Sequence, residues 1–175
     1  KYQMTPSESM AAKIPVPSGE TNTATIMSCG YDPKPSYWSP FHGAIYAVVD
    51  AVTKIAASGG DFRKVRMTFQ EYFEKLGDDP ERWGKPFSAL LGAYFAQVKL
   101  GLPAIGGKDS MSGTFNELNV PPTLVAFAVD VMDARNIISP EFKKPGSTVV
   151  IIKAEYDDKL IPCFEKLKNN FDRMK

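Results

Sequence analysis

The sequence is poor in the residues that most often carry metal or nucleophilic chemistry. It contains one histidine, His42, and two cysteines, Cys29 and Cys163. These three side chains are too few for a structural zinc site, which takes four such ligands. No serine sits in a nucleophile elbow, so a serine–histidine–aspartate triad is not supported. The distant cysteines indicate a reduced compartment, and we expect both to be small, buried apolar groups.

The sequence also lacks an excess of charge and a long apolar run. Its Lys and Arg residues number 21 against 20 Asp and Glu, for a net charge of +1. This balance gives no electrostatic footprint for nucleic acid. The apolar runs fall far short of the roughly 20 residues of a membrane helix, and the start shows no signal peptide. We therefore predict a cytoplasmic protein with no nucleic-acid or membrane partner. Because the first residue is Lys1, we expect part of a longer chain.

The order of the predicted elements is strand, helix, strand, helix, strand, strand, strand, helix. This order favours an α/β (α+β) domain with a small mixed or antiparallel sheet of about four strands and helices on one face. Residues 1–21 are predicted to be an extended arm or linker, with a short helical turn near 7–13. Residues 22–140 would form the main domain, and residues 146–175 the truncated start of the next domain.

The boundaries of these elements follow from hydrophobic period and from capping residues. Strands are predicted over 23–29, 65–69, 102–105, 123–131 and 149–152, helices over 39–58, 86–100 and 159–174, a loop over 31–40 and a connection over 116–122. Residues 71–76 could form a further short helix. The helix over 86–100 carries an apolar stripe that we expect to be core, namely Phe87, Leu90, Leu91, Tyr94, Phe95 and Val98.

A glycine-rich stretch, residues 104–113, follows the strand predicted over 102–105. Adjacent Gly106 and Gly107 would let the backbone approach a ligand closely, and free N–H groups in such a turn bind anions. Lys108 would add a positive charge for phosphate, and Asp109 could hold Mg²⁺. The stretch lacks the spacing of a Walker loop. The alternative is a strand that ends in a glycine turn, with its polar side chains simply solvated.

A polar stripe runs along the first predicted helix, where Tyr46, Asp50 and Lys54 recur every four residues. Asp50 and Lys54 have the spacing of an ordinary surface ion pair. His42, in the first turn, could hydrogen-bond a substrate or be a surface residue without a role. From the residues alone, the chain is either a phosphate- and Mg²⁺-handling enzyme domain or a non-catalytic interaction domain. An uncovered outer face on strand 123–131 would favour pairing with another copy or domain.

Five stretches carry a resemblance to one enzyme family. The stretches are Ile-Gly-Gly-Lys-Asp-Ser-Met-Ser at 105–112, Pro-Pro-Thr-Leu-Val-Ala-Phe-Ala-Val at 121–129, Trp-Ser-Pro-Phe-His-Gly-Ala-Ile-Tyr-Ala-Val-Val-Asp at 38–50, Thr-Phe-Gln-Glu-Tyr-Phe at 68–73 and Arg-Trp-Gly-Lys-Pro-Phe at 82–87. Together they resemble phosphoribosylformylglycinamidine synthase of the large, single-chain type. The resemblance covers roughly residues 10 to 155 and lies in the second half of that enzyme.

The resemblance implies a fold like the N-terminal domain of aminoimidazole ribonucleotide synthetase, whose sheet pairs with a sister domain. It implies the ATP-dependent ligase reaction that converts formylglycinamide ribonucleotide and glutamine to formylglycinamidine ribonucleotide in purine biosynthesis. The implied cofactors are ATP or ADP and Mg²⁺, and the implied partners are the remaining synthase and glutaminase domains. The alternative is a structural domain that scaffolds the pseudo-dimer.

Carried over residue by residue, the resemblance implies a partial nucleotide site without assigning a catalytic residue. The expected nucleotide or phosphate contacts are Gly106, Gly107, Lys108, Ser110, His42 and Lys54, and the expected metal ligands are Asp109 and Asp50. The better-known large enzymes have glutamate and asparagine where this sequence has Asp50 and Lys54. They also have Ser-x-Asn-Trp where it has residues 68–71. Because the glutaminase and the first half are missing, we expect no synthase activity and weak or no ATP binding from this stretch alone.

Overall fold

The structure is a computed structural model that describes residues 8–174. Its strands are β1 (Ser9–Lys13), β2 (Thr23–Gly30), β3 (Arg66–Tyr72), β4 (Ala104–Lys108), β5 (Thr114–Phe115), β6 (Leu118–Asn119) and β7 (Thr123–Asp133). Its α-helices are α1 (Pro33–Trp38), α2 (Pro40–Ala57), α3 (Pro80–Leu100) and α4 (Phe164–Arg173), and short 3-10 turns span Phe62–Lys64 and Ala134–Asn136.

The centre of the fold is a five-stranded sheet in the order β1-β2-β7-β3-β4. All neighbours are antiparallel except β3 and β4, which run parallel. The predicted mixed α/β class with helices against the sheet is confirmed. The fifth strand arises because β1 pairs with β2, from Ser9 opposite Ser28 to Lys13 opposite Ala24. The helical turn predicted near 7–13 is therefore wrong over 9–13, where main-chain pairing with an open sheet edge outweighs local propensity.

The core forms where α2 packs on one face of the sheet. Ser39 caps α2 and Pro40 opens it, as predicted. The helix buries Ile45, Val48 and Val52 completely, against alternate residues of β2 and β7. Each such side chain contributes about 1.5–3 kcal/mol through removal from water.

Helix α3 packs on α2 through small residues, contrary to the sequence prediction. The buried residues of α3 include Ala89, Gly92, Ala93 and Ala96. A Cβ on Gly92 would lie 2.1 Å from the Phe41 carbonyl oxygen, so the helices meet backbone to backbone. The stripe expected to be core is therefore turned outward, and only Phe95 of its members packs against the core. The others are exposed, namely Phe87, Leu90, Leu91, Tyr94 and Val98.

Other local predictions also differ from the structure. The loop over 31–40 contains helix α1, which Asp32 caps by accepting a hydrogen bond from the Lys34 N–H. No helix forms over 71–76, since β3 continues to Tyr72. Helix α3 begins at Pro80 because Asp79 caps it there, and Pro86 lies inside it. The connection over 116–122 includes part of the β5–β6 hairpin. Cys29 is exposed and Cys163 is half-buried.

The C-terminal segment, residues 146–174, contains α4 but no strand. Residues 149–152 are not buried and, within the described residues, have no partner strand, so the predicted strand is absent. Helix α4 begins at Phe164 and packs Phe164 against Phe95 and Phe171 against Phe62. The division of the chain into domains stays a prediction, although α4 shares the core of the main sheet. Within residues 8–174, none of the helices has the length and hydropathy needed to cross a bilayer.

Candidate functional site

The two adjacent glycines lie in edge strand β4 rather than in a turn after it. Two steps along β3, from Met67 to Phe69, match three steps along β4, from Ala104 to Gly107. This extra residue is a β-bulge, and the Thr68 hydroxyl donates to the Gly106 carbonyl oxygen across it at 3.1 Å. The strand predicted to stop at residue 105 therefore runs on through Gly106, Gly107 and Lys108.

Both glycines are needed for this geometry, for different reasons. Gly106 has a φ of 139°, a region that other residues rarely adopt. A Cβ on Gly107 would lie 2.7 Å from the Phe69 carbonyl oxygen. The result is a stretch of edge-strand backbone that carries no side chains.

The residues after β4 continue alongside β3. The Ser110 N–H donates to the Glu71 carbonyl oxygen at 3.1 Å, and the Phe73 N–H donates to the Ser110 carbonyl oxygen at 2.9 Å. The Ser110 and Ser112 hydroxyls are 2.9 Å apart. Lys108 extends to the Asp109 carbonyl oxygen, 2.8 Å from its Nζ. Asp109 and Ser110 are therefore fixed beside the end of β3.

A cavity of about 550 Å³ lies between α3 and β4. One wall is the outward-turned stripe of α3, including Leu90, Leu91 and Tyr94, and the opposite wall is Gly106 and Gly107. Lys108, Asp109 and Glu71 supply its charged groups. A concave site with apolar walls and a few polar groups is the usual form of a small-molecule pocket.

Glu71 is a charged residue on the inner face of the sheet. Residues alternate along β3, so Glu71 shares its face with Met67 and Phe69. Burial, and secondarily the charge of Asp109, raises the pKa of Glu71 to about 7. Its Oε1 atom is buried and has no hydrogen-bond partner in the described part of the chain. Sequence reasoning did not assign Glu71 to the site, although a glutamate at an inward position of an alternating strand was a usable signal.

Lys54, on α2, is fully engaged by its neighbours. Its Nζ lies 2.8 Å from Asp50 and 3.2 Å from Glu8, and it donates to the Cys29 carbonyl oxygen at 2.9 Å. Burial alone would lower the pKa of Lys54, but the hydrogen bonds to Asp50 and Glu8 outweigh it and raise the pKa. The ion pair between Asp50 and Lys54 thus exists, with a third charged partner that the sequence did not reveal.

His42 and Tyr46 hold the C-terminal segment against α2. The His42 Nδ1 atom lies 2.9 Å from the Ser39 hydroxyl, and Nε2 lies 2.9 Å from the Lys159 carbonyl oxygen. The Tyr46 hydroxyl donates to the Leu160 carbonyl oxygen at 2.6 Å. Burial, with the nearby Tyr156 and Asp157, raises the pKa of Tyr46. Both ring nitrogens of His42 are used inside the protein, so a ligand would have to displace one of these contacts.

The structure places the two predicted metal ligands, Asp50 and Asp109, in different cavities. Asp50 lines a second cavity, of about 450 Å³, between α2 and the C-terminal segment, with Tyr46 and Tyr156 among its walls. This cavity shares no lining residue with the α3–β4 cavity, which contains Asp109. Among residues 8–174, no cluster of three or more His, Cys, Asp or Glu side chains is placed to hold a metal ion. The roles of all these residues stay predictions.

The fold is shared with solved enzyme structures, although no family model matches the sequence. PurL from Thermotoga maritima complexed with AMPPCP is similar with a TM-score of 0.65 and 16% identity, over 77% of this chain and 22% of that one. The same protein complexed with FGAR gives a TM-score of 0.65 and 16% identity, over 77% and 21%. Phosphoribosylformylglycinamidine synthase II from Thermotoga maritima gives a TM-score of 0.62 and 18% identity, over 75% of this chain and 21% of that one.

The likeness applies to a part of these enzymes. The matched region is about a fifth of each enzyme chain, and the identities are low. The chain therefore has the fold of a segment of the PurL phosphoribosylformylglycinamidine synthases.

Proposed function

We propose that the chain is part of an ATP-dependent ligase that converts formylglycinamide ribonucleotide and glutamine to formylglycinamidine ribonucleotide. In this proposal the chain works in the cytoplasm with further synthase and glutaminase domains. The fold is that of PurL structures that bind AMPPCP or FGAR. The resemblance of residues 105–112 to the synthase motif supports the same assignment.

One observation carries the proposal of a nucleotide site. The side-chain-free backbone of Gly106 and Gly107 faces a cavity that also contains Lys108 and Asp109. Within residues 8–174, strand β4 pairs with β3 alone, so its other edge is open to a ligand. Phosphate oxygens can approach glycine backbone closely, and Lys108 would add a positive charge.

Mg²⁺ fits the donors at this cavity. Mg²⁺ is usually bound by one or two carboxylates together with substrate phosphates. Asp109 would supply such a carboxylate, and the metal would offset repulsion between that carboxylate and a phosphate group. Asp50, Lys54 and His42 do not line this cavity, so they can act only on a ligand held elsewhere.

Asp109→Asn in the full-length protein tests the nucleotide site. We expect a large loss of ATP-dependent turnover with ammonia as the nitrogen source, with the thermal unfolding temperature unchanged. Asp78→Asn, at an exposed aspartate outside both cavities, is the matched control and should keep wild-type activity. Full activity in Asp109→Asn would remove Asp109 from the proposed site.

The open sheet face favours a second candidate, a structural role in pairing domains or copies. Phe127, Val131, Ile105 and Met10 are exposed on the strands and point away from α2. Exposed apolar patches of this kind often mark protein interfaces. If the role is structural alone, Asp109→Asn will leave turnover unchanged.

A further inference from the structure

The predicted pair of metal ligands, Asp50 and Asp109, does not share a cavity, which leaves Asp109 without its expected partner. Glu71 is the other carboxylate in the α3–β4 cavity. The main chain holds it there, since the Ser110 N–H bonds the Glu71 carbonyl oxygen at 3.1 Å. The two carboxyl groups therefore occupy neighbouring extended segments of one sheet edge.

The Oε1 atom of Glu71 needs a partner that the described chain does not supply. This atom is buried and accepts no hydrogen bond from residues 8–174. A buried, unpaired carboxyl oxygen is costly, so such an atom is a reason to look for a bound cation or donor. Lys108 does not satisfy it, because its ammonium group donates instead to the Asp109 carbonyl oxygen at 2.8 Å.

We propose that Glu71 and Asp109 together bind a divalent cation, Mg²⁺, in the α3–β4 cavity. This inference rests on the proposed function and adds Glu71 to its site. The donor set suits Mg²⁺, which takes hard oxygen ligands and fills its remaining positions with water and phosphate oxygens. The bare backbone of Gly106 and Gly107 leaves room beside the ion for those phosphates. Asp50 belongs to the other cavity and does not take part.

Binding of Mn²⁺, a paramagnetic substitute for Mg²⁺, tests the pair without any catalytic assay. The ¹⁵N-labelled 175-residue chain is titrated with Mn²⁺, and line broadening of each backbone amide is recorded. We expect the first broadened amides to be those of Gly106, Gly107 and Ser110. Competition with Mg²⁺ should restore these signals. Broadening that starts around Asp50 would overturn the proposal.

Three variants assign the ligands. Glu71→Gln and Asp109→Asn should each weaken Mn²⁺ binding by at least about tenfold, because changes just outside the ligand shell of a metal already cost that much, and Asp50→Asn should not change it. If both carboxylates hold one ion, the double variant, which has no carboxylate left in the cavity, should lose the localised broadening altogether. Unchanged affinity in Glu71→Gln would overturn the inference.

Two further readouts keep the outcomes separate. Circular dichroism of Glu71→Gln should show a folded chain, so that lost Mn²⁺ binding is not a result of unfolding. The turnover assay of the full-length protein is independent of the titration. Activity that requires Asp109 while Glu71→Gln binds Mn²⁺ normally would sink the inference and leave the proposed function standing. If Mn²⁺ binds normally at the pair but the full-length protein has no synthase activity, the proposed function is contradicted and the inference stands.

Discussion

Glu71 and Asp109 line the same cavity, and the charge of Asp109 adds to burial in raising the pKa of Glu71 to about 7. An unfolded glutamate has its pKa near 4.5. The folded chain thus holds this proton more tightly than the unfolded chain. The stability that Glu71 contributes is full below about pH 4.5 and is lost as pH rises through about 7.

Glu71→Gln should therefore stabilise the metal-free chain above pH 7 by about 1 kcal/mol, after discounting the pKa shift for solvent screening. At pH 4.5 the two proteins should differ little. Urea unfolding at several pH values measures this difference. The contrasting variant is Glu74→Gln, because the buried Glu74 pairs with Lys85 and Arg82. It should lower stability at pH 7, and a similar loss in Glu71→Gln would contradict the account.

Gly107→Ala tests the close contact between β4 and β3. The added Cβ would lie 2.7 Å from the Phe69 carbonyl oxygen, so the strands must separate. We expect the free energy of unfolding to fall by about 1–3 kcal/mol, the usual cost of overpacking. Gly84→Ala is the control, since a Cβ at this α3 position meets nothing within 4 Å. It should gain about 0.5–1 kcal/mol from helix propensity. Equal effects of the two substitutions in urea unfolding would argue against the contact.

The contacts of His42 and Tyr46 predict how the C-terminal segment is held. Tyr46→Phe removes the hydrogen bond to the Leu160 carbonyl oxygen, and His42→Ala removes the contact with the Lys159 carbonyl oxygen. Each substitution should lower the free energy of unfolding by about 0.5–1.5 kcal/mol. Hydrogen exchange should quicken in α4 and in residues 157–163, while β7 stays protected. Tyr37→Phe, at an exposed tyrosine of α1, should change nothing. Unchanged exchange in both test variants would show that these contacts do not anchor the segment.

Phe127 reports on the open face of the sheet. Its side chain is 40% exposed beside Ile105, so Phe127→Asp should fold normally. If this face joins two copies, sedimentation of the wild-type chain will show a dimer and Phe127→Asp will show a monomer. Phe142→Asp, at a phenylalanine that is 86% exposed in the connection between β7 and the C-terminal segment, serves as the control. If the wild-type chain stays monomeric at high concentration, the open face does not join two copies, and another domain is then its expected partner.

Capping residues and hydrophobic patterns were sufficient to predict the elements whose tertiary contacts follow the same pattern. Helix α2 has a serine cap, a first-turn proline and one apolar face, and β7 is a long apolar run. The orientation of α3 could not be predicted, because its large apolar stripe looked like the core. The structure instead buries the face of α3 that carries small residues, because Gly92 packs directly against the backbone at Phe41.

The sequence predicts which residues belong to the candidate site, but it does not predict which of them share a cavity, and their roles stay predictions. The glycines, Lys108 and Asp109 do lie together at one sheet edge. Their separation from Asp50 depends on how α2 and β4 sit on the sheet, which the spacing of residues along the chain does not encode. Glu71 was not predicted because the sequence pattern ends the strand at residue 69, whereas β3 continues to Tyr72 and thereby places Glu71 on the inner face of the sheet.

A crystal structure of the full-length protein with ADP and Mg²⁺ tests the central claim most directly. We predict phosphate oxygens against the backbone of Gly106 and Gly107, and a Mg²⁺ ion about 2.1 Å from carboxylate oxygens of Asp109 and Glu71. The account is contradicted if the nucleotide and its metal ion lie in the cavity of Asp50 and Tyr46, with the α3–β4 cavity holding water alone.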